Sequence, residues 1–357
     1  MENKDTVILS DGILTYPGGH ADGAGRRAWR WALRGADLVV ALGGTVLLTL
    51  AIAPFLHLFW PLAALAENFA LQILAGACLL GALALACGRR RWFIANLCVA
   101  LVQVATIHPY WPVLLHIPVT PPATELKVVS LNVWARSDSY DAVGKYLLES
   151  DADVVGLVET SPRWQAALAG LQTRYPYRVA CPQKTPCEQI LLSRHPIARQ
   201  GVTRIDGTSA YLSWAEIAVA GPGGPRNVTF ALTHLIRPFN PGPADRAGLP
   251  DGVPNLTQAI EAERLAAHLR PLGNDLVLMG DFNAAPWSRI QQRLRRDTGL
   301  DNAGSLAPSW PSWNPAFLRL PIDHVLARGA LHIGHIEPGP AVGSDHLPVA
   351  AWIDVTE

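Results

Sequence analysis

Hydrophobic and polar positions follow two regimes along this chain. From residue 38 to 115 Leu, Ala, Val and Ile dominate. From residue 125 onward short β-branched runs are punctuated by Gly, Pro, Asn and Asp. The apolar region predicts about three transmembrane helices. Residues 38–59 give roughly 22 mostly apolar positions and 69–87 roughly 19, against the ~20 needed to span a bilayer. Residues 92–115 form a weaker third run, interrupted by Asn96, Gln103, His108, Pro109 and Pro112. A re-entrant or interfacial third segment is the alternative, and it would place the C-terminal domain on the opposite side of the membrane.

The second regime predicts strands over residues 127–133, 154–159, 189–193, 213–220, 228–234, 276–280, 322–327 and 349–354, and helices over 140–149, 163–171 and 257–270. Uneven alternation of the two points to two β layers with helices outside, not to a simple alternating parallel sheet. The stretch HPYWPVLLHIPVTPPAT, residues 108–124, holds five prolines and reads as a stiff connector, because Pro fixes φ and ends helices. The expected organisation is a flexible cytoplasmic tail over 1–34, a transmembrane region over 35–116 (about 35–60, 69–88 and 92–115), a Pro-rich linker over 117–124 and one soluble domain over 125–357. A cleaved signal peptide fits poorly, since the first apolar run starts nearly 40 residues in and others follow.

Charge refines this picture. Residues 1–124 hold 8 Lys+Arg against 6 Asp+Glu, and 125–357 hold 21 against 23, a net charge of −2. Such a domain does not advertise general affinity for long polyanions. Basic residues are retained on the cytoplasmic side. Arg26, Arg27, Arg30 and Arg34 precede the first run and Arg89, Arg90 and Arg91 separate the second from the third, whereas residues 60–68 carry no Lys or Arg. With three spans these agree on one topology: N-terminus inside, soluble domain outside. Cys78, Cys87 and Cys98 belong to the apolar region, leaving Cys181 and Cys187 (CPQKTPC) as the pair in the soluble domain. A disulfide between them suits an oxidising space; two unrelated loop thiols are the alternative.

The candidate chemistry lies where apolar runs end, the place where rigid strands open into loops. Asn132 ends the first run, Glu159 the second and His234 a later one. Asp281 and Asn283 end VLMGDFN, Asp323 and His324 interrupt PIDHVLA, and Asp345 and His346 form GSDH before the last run. Taken singly, Asp and Asn build turns and Glu159 caps a helix.

The ordered set SLNVW, VVGLVET, LLSRHPI, LTHL, GDFNAAP, PIDHVL and GSDHLPV resembles the endonuclease/exonuclease/phosphatase superfamily, which includes deoxyribonuclease I, apurinic endonucleases, neutral sphingomyelinases and inositol polyphosphate 5-phosphatases. The resemblance covers about 230 residues, and six or seven motifs in order are far more specific than any one. It implies a four-layer α/β sandwich, here preceded by about three transmembrane helices, and a phosphoric ester hydrolase using Mg²⁺ or Mn²⁺. Glu159 would be the principal metal ligand with Asn132 and Asp345 beside it, Asp281 would position or deprotonate water and Asn283 would hold the phosphate. His346, oriented by Asp323, would act as base or donor, and His234 would lie near the leaving group. Glu188 would pair with His234 or remain solvated, and His324 holds a position that varies in the family. Two segments depart from the usual pattern, NVWARSDSY lacking a second Asn and LVET lacking a Gln before the Glu. Both bear on substrate more than on hydrolysis.

Three functions follow. The first is a membrane-tethered phosphodiesterase acting outside the cytoplasmic membrane on lipid head groups or small phosphodiesters. The second is a nuclease, for which Arg289, Arg293, Arg295 and Arg296 would contact a strand or form a solvated face. The third is an inactive binding protein with the same fold. The implied partners are the lipid bilayer and a phosphoester substrate (lipid head group, nucleic acid or small phosphodiester), with no obligate protein partner evident. Trp287, Trp310 and Trp313 would line a cleft or anchor loops, and the Pro-rich residues 238–254 would shape access.

Overall fold

The structure, a computed structural model, describes residues 6–9, 12–15, 23–53, 62–114, 126–182, 185–238 and 254–356. These divide into two compact units, Met1–His108 and Pro109–Glu357.

In the first unit the strands β1 (Thr6–Leu9) and β2 (Gly12–Thr15) pair antiparallel. Helix α1 spans Gly23–Ile52, followed by α2 (Leu62–Glu67), α3 (Ala70–Ala86) and α4 (Arg90–Ile107). The helix therefore starts ahead of residue 34, because Arg26 to Arg34 is rich in good helix formers that extend it. The stretches Arg27–Ile52 and Arg90–Tyr110 are long and apolar enough to cross a membrane. The α3 helix has 17 residues, about 26 Å, short of the ~30 Å hydrocarbon core, so length alone does not give three spans. The interrupted third run is the longer helix, since Asn96 Nδ2 satisfies itself on Trp92 O at 2.9 Å and Gln103 is buried within the unit. Arg89 pairs with Asp37 of α1 through two contacts, Nε to Oδ1 at 2.6 Å and Nη2 to Oδ2.

The second unit opens with α5 (Trp111–Leu114) and continues through β3 (Leu126–Asn132), α6 (Tyr140–Glu149), β4 (Val154–Val158), α7 (Pro162–Ala167), β5 (Tyr177–Ala180), β6 (Gln189–Ser193), β7 (Ile197–Arg204), β8 (Tyr211–Val219) and β9 (Arg226–His234). Then come α8 (Pro254–Leu269), β10 (Leu276–Asp281), α9 (Arg289–Thr298), β11 (Asp323–Arg328), β12 (Leu331–Pro338) and β13 (Val349–Val355). Six strands form one sheet in the order β12-β13-β3-β4-β6-β5, and five form another in the order β11-β10-β9-β8-β7. Alternate side chains explain the layers. Val128, Val154 and Leu191 face Phe230, Leu232, Val277 and Met279 between the sheets. Their neighbours Val129, Leu131, Val155 and Leu157 point outward to Val143, Leu147 and Trp164. Leu265 and Leu269 of α8 and Leu294 of α9 cover Leu276 and Leu278 on the far face. This is the four-layer sandwich, with each central strand buried on both faces.

Gly156 lets the sheets approach closely: a Cβ there would stand 2.6 Å from Met279 Sδ. The linker over 117–124 lies outside the described residues, yet the second unit reaches back to Pro109. Tyr110 is buried in it, donating to Pro286 O at 3.2 Å, accepting from Arg295 at 2.6 Å and packing its ring edge on Trp287. Cys181 and Cys187 form a disulfide with Cα atoms 5.6 Å apart.

Candidate active site

Register places the site. At the C-terminal end of β10, Asp281 is paired with His234 of β9 on one side and Asp323 of β11 on the other. In the facing sheet Asn132 ends β3 opposite Val158, and Glu159 follows directly. The turn Gly343 to His346 precedes β13. Two sheet ends thus deliver six motifs to one edge. Local backbone is specialised there. Glu159, Asn283 and Trp134 hold φ of 60°, 50° and 57°, a left-handed conformation costly for Glu and Trp and characteristic of functional sites. Gly280 has φ of 141°, and a Cβ would meet Thr233 O at 1.9 Å, so only glycine can precede Asp281.

Hydrogen bonds connect the cluster. Asn132 Oδ1 accepts from Trp134 N–H at 2.9 Å, which turns its amide nitrogen to donate to Glu159 Oε1 at 3.0 Å and Asp281 Oδ2 at 3.1 Å. Asn132 is therefore a donor between two carboxylates in this arrangement. Glu159 Oε2 accepts from Ala135 N–H at 3.1 Å. Asp281 Oδ2 also lies 3.6 Å from His234 Nε2 and 3.7 Å from His346 Nε2, and its Oδ1 accepts from Asn283 N–H at 2.8 Å. Asn283 directs its side-chain nitrogen to His234 Nε2 at 3.3 Å and Leu235 O at 2.9 Å, so it positions the histidine.

The pair foreseen between His346 and Asp323 is present and buried, Nδ1 to Oδ2 at 2.7 Å, with Ser309 Oγ donating to the same oxygen at 2.5 Å. Asp345 receives Trp310 Nε1 on Oδ2 at 3.3 Å, while its Oδ1 is buried without a hydrogen-bond partner among the described residues. His324 is turned elsewhere, donating through Nε2 to Ala284 O at 2.8 Å. Glu188 makes no side-chain hydrogen bond among the described residues, although it feels the charges of Glu159 and His234.

Electrostatics follow from burial and neighbours. For Glu159, burial works upward, but the His234 charge, the Asn132 and Ala135 hydrogen bonds and the His346 charge together hold the carboxyl below its ordinary value. Asp281 is pushed above the usual carboxylate range by burial and the Asp323 charge, against the opposing pull of His346 and His234. For His346, burial favours the neutral ring, yet Asp323, Asp281 and Asp345 raise it to about 9. Burial takes His324 down to about 4, so it stays neutral. The edge thus offers a raised carboxyl flanked by two imidazoles, the arrangement expected where protons move.

Asp281, Asp323 and His346 lie close enough together to hold an ion. Chemistry argues otherwise: Asp323 Oδ2 already serves His346 and Ser309, and Mg²⁺ prefers oxygen donors and retained water. Glu159 and Asp345 fit a hard cation better, one partly buried at the edge and the other presenting a buried oxygen without a hydrogen-bond partner among the described residues. Two further residues escape sequence reasoning: Ser309, which belongs to no motif, and Arg237, whose exposed guanidinium reaches within 3.9 Å of Glu159 Oε1. Of the arginines after GDFN, Arg293 pairs with Glu263 and Asp297, and Arg295 is engaged by Tyr110 and Asp301. Residues 239–253 of the Pro-rich stretch lie outside the described residues.

Comparison with known proteins agrees with this fold. Solved structures sharing the fold include an endonuclease/exonuclease/phosphatase family protein from Bacteroides thetaiotaomicron, 15% identical over 66% of this chain and 98% of that one, with a TM-score of 0.52. One from Bacteroides vulgatus is 13% identical over 65% and 99%, TM-score 0.51. The human Nocturnin catalytic domain, with bound sulfate anion, is 16% identical over 65% and 95%, TM-score 0.50. A comparison with curated protein sequences returns no match. The model of the Endonuclease/Exonuclease/phosphatase family matches residues 129–346, more than half of the chain and every motif from the β3 strand to His346, and the chain belongs to that family.

Proposed function

We propose that this chain is a membrane-tethered, divalent-metal-dependent phosphodiesterase that acts outside the cytoplasmic membrane. The observation that carries the hydrolase reading is Asp281 Oδ2 set 3.6 and 3.7 Å from two imidazoles while bonded to the Asn132 that also holds Glu159. Water attacks phosphorus in line with the leaving oxygen. The raised Asp281 carboxylate orients that water and takes its proton as the new P–O bond forms. His346, kept protonated by Asp323, donates to the phosphoryl oxygens and supplies the proton that the leaving oxygen takes as the old P–O bond breaks, while His234, its Nε2 accepting from Asn283, lines the same edge. Glu159 and Asp345 would hold a Mg²⁺ or Mn²⁺ ion, which when bound supplies charge neutralisation and Lewis acidity. Asn132 orients Glu159, and Asn283 orients His234.

The disulfide and the Arg distribution support an extracytoplasmic location. That location needs an odd number of crossings from a cytoplasmic N-terminus, so α3 must span together with α1 and α4 despite its length. A membrane-impermeant protease added to intact cells should cut the second unit; complete protection would place it inside. For the activity, the full chain with Mg²⁺ should cleave bis(4-nitrophenyl) phosphate or a phospholipid head group. A second reading, nuclease, would draw on the arginines after GDFN, of which Arg293 and Arg295 are already committed to ion pairs. Rapid plasmid nicking without release of any head group would favour it.

A further inference from the structure

The exposed apolar residues of the second unit are unevenly placed. Among its described residues the large exposed hydrophobics are Trp313 at 69%, Phe317 at 76% and Leu318 at 44%, with Leu148 and Tyr177 elsewhere. The first three fall within six residues, and Pro315 and Ala316 between them are exposed too. Together these side chains concentrate exposed apolar area at one loop tip, the kind of patch that marks an interaction surface.

The loop that carries them is built rigidly onto the active site. Its ends are closed by Trp310 N–H to Leu320 O at 3.1 Å and Leu320 N–H to Trp310 O at 2.5 Å. A turn at Ala316–Leu318 sets the tip. The base is fixed to the catalytic edge through Ser309 on Asp323, Trp310 on Asp345 Oδ2, Ser312 N–H on Asp345 O at 2.8 Å and Ser312 Oγ on Ser344 O at 2.6 Å. An apolar tip is thereby held at the rim of the site by its own catalytic carboxylates.

We propose that the Trp310 to Leu320 loop is a bilayer-contacting rim that seats the site on the membrane carrying its phosphodiester. The inference rests on the membrane-tethered reading above, and it names the substrate class as a phosphodiester resident in a lipid bilayer. Composition supports this occupant over a protein or a nucleic acid. From Asn302 to Ile322 there is no acidic residue, and Arg319 is the one charge. Arg319 donates to Ser312 O at 3.1 Å, and its Nε is buried without a hydrogen-bond partner among the described residues. Exposed Trp and Phe flanked by a cation suit the interface between acyl chains and phosphate groups. The stretches Arg27–Ile52 and Arg90–Tyr110 of the same chain are long and apolar enough to cross a bilayer.

The test uses the full chain reconstituted with Mg²⁺ into vesicles of phosphatidylcholine and phosphatidylglycerol, some with brominated acyl chains. Two rates are followed, head-group release from those lipids and hydrolysis of soluble bis(4-nitrophenyl) phosphate. In the Trp313→Ala/Phe317→Ala double variant the lipid rate should fall at least about tenfold while the soluble rate stays within about twofold. Brominated lipid should quench the wild-type fluorescence more than that of Trp313→Phe. Equal loss of both rates, no loss of either, or loss confined to cleavage of single-stranded DNA overturns the proposal. If the wild type hydrolyses nothing, the hydrolase reading fails separately, and bromolipid quenching alone decides the loop: equal quenching of the wild type and Trp313→Phe overturns it.

Discussion

Truncation at residue 125, where the change of composition invites it, should damage the hydrolase domain, because Tyr110 belongs to its core. Its hydroxyl bridges Arg295 and Pro286 O, its ring abuts Trp287, and these neighbours hold the loop that follows Asp281 and Asn283. Removing a buried aromatic ring costs roughly 3–5 kcal/mol, and removing the hydroxyl alone about 1–2 kcal/mol. With a urea dependence of about 3 kcal/mol per molar for a domain of this size, Tyr110→Ala should lower the unfolding midpoint by about 1–2 M and Tyr110→Phe by about 0.5 M. Tryptophan fluorescence of fragment 109–357 reports the transition through Trp287, and fragment 125–357 should behave like the alanine variant. If the two fragments unfold within 0.3 M of each other, the reasoning about Tyr110 is refuted.

Glu261, fully buried on α8, accepts from Ile236 N–H at 2.8 Å and Ser209 Oγ at 3.3 Å just beyond His234. Burial raises its carboxyl despite those bonds. A raised carboxyl contributes stability that is full below the unfolded value near 4.5 and is lost as pH rises through the folded value. Glu261→Gln should therefore gain on wild type between pH 5 and pH 8 in denaturation midpoint, whereas Glu261→Ala, leaving Ile236 N–H unpaired, should lose about 1–3 kcal/mol at both; a flat Gln-minus-wild-type difference would contradict this. The Cys181–Cys187 bridge closes a short loop, and Cys181→Ser/Cys187→Ser should cost about 2 kcal/mol by loop-closure entropy, checked by urea unfolding. Gly156→Ala forces a methyl against Met279 and should cost about 1–3 kcal/mol in the same assay.

The buried strands were legible because each carries a continuous apolar run. The 189–193 strand and the 140–149 helix coincide with β6 and α6. The strands β5, β7 and β12 were missed, and all three are sheet edges. Their exposed or mixed faces, as in the Ile197–Arg204 pattern, carry no period to read. The site was legible where a motif ends a strand, since register alone then brings His234, Asp281 and Asp323 side by side. What motifs leave unstated is hydrogen-bond direction. Trp134 N–H donates to Asn132 Oδ1, and that bond turns the Asn132 amide nitrogen to the two carboxylates. Ser309 and the Trp313 loop reach the site through a long connection whose path only the fold supplies.

The account stands most directly on one rate measurement. The full chain should hydrolyse bis(4-nitrophenyl) phosphate with Mg²⁺ or Mn²⁺, lose that activity with a chelator, and lose about 10²–10⁴-fold in kcat on Asp281→Asn with its fold intact. Undiminished turnover in the chelated enzyme, or an Asp281→Asn variant as fast as wild type, would contradict it.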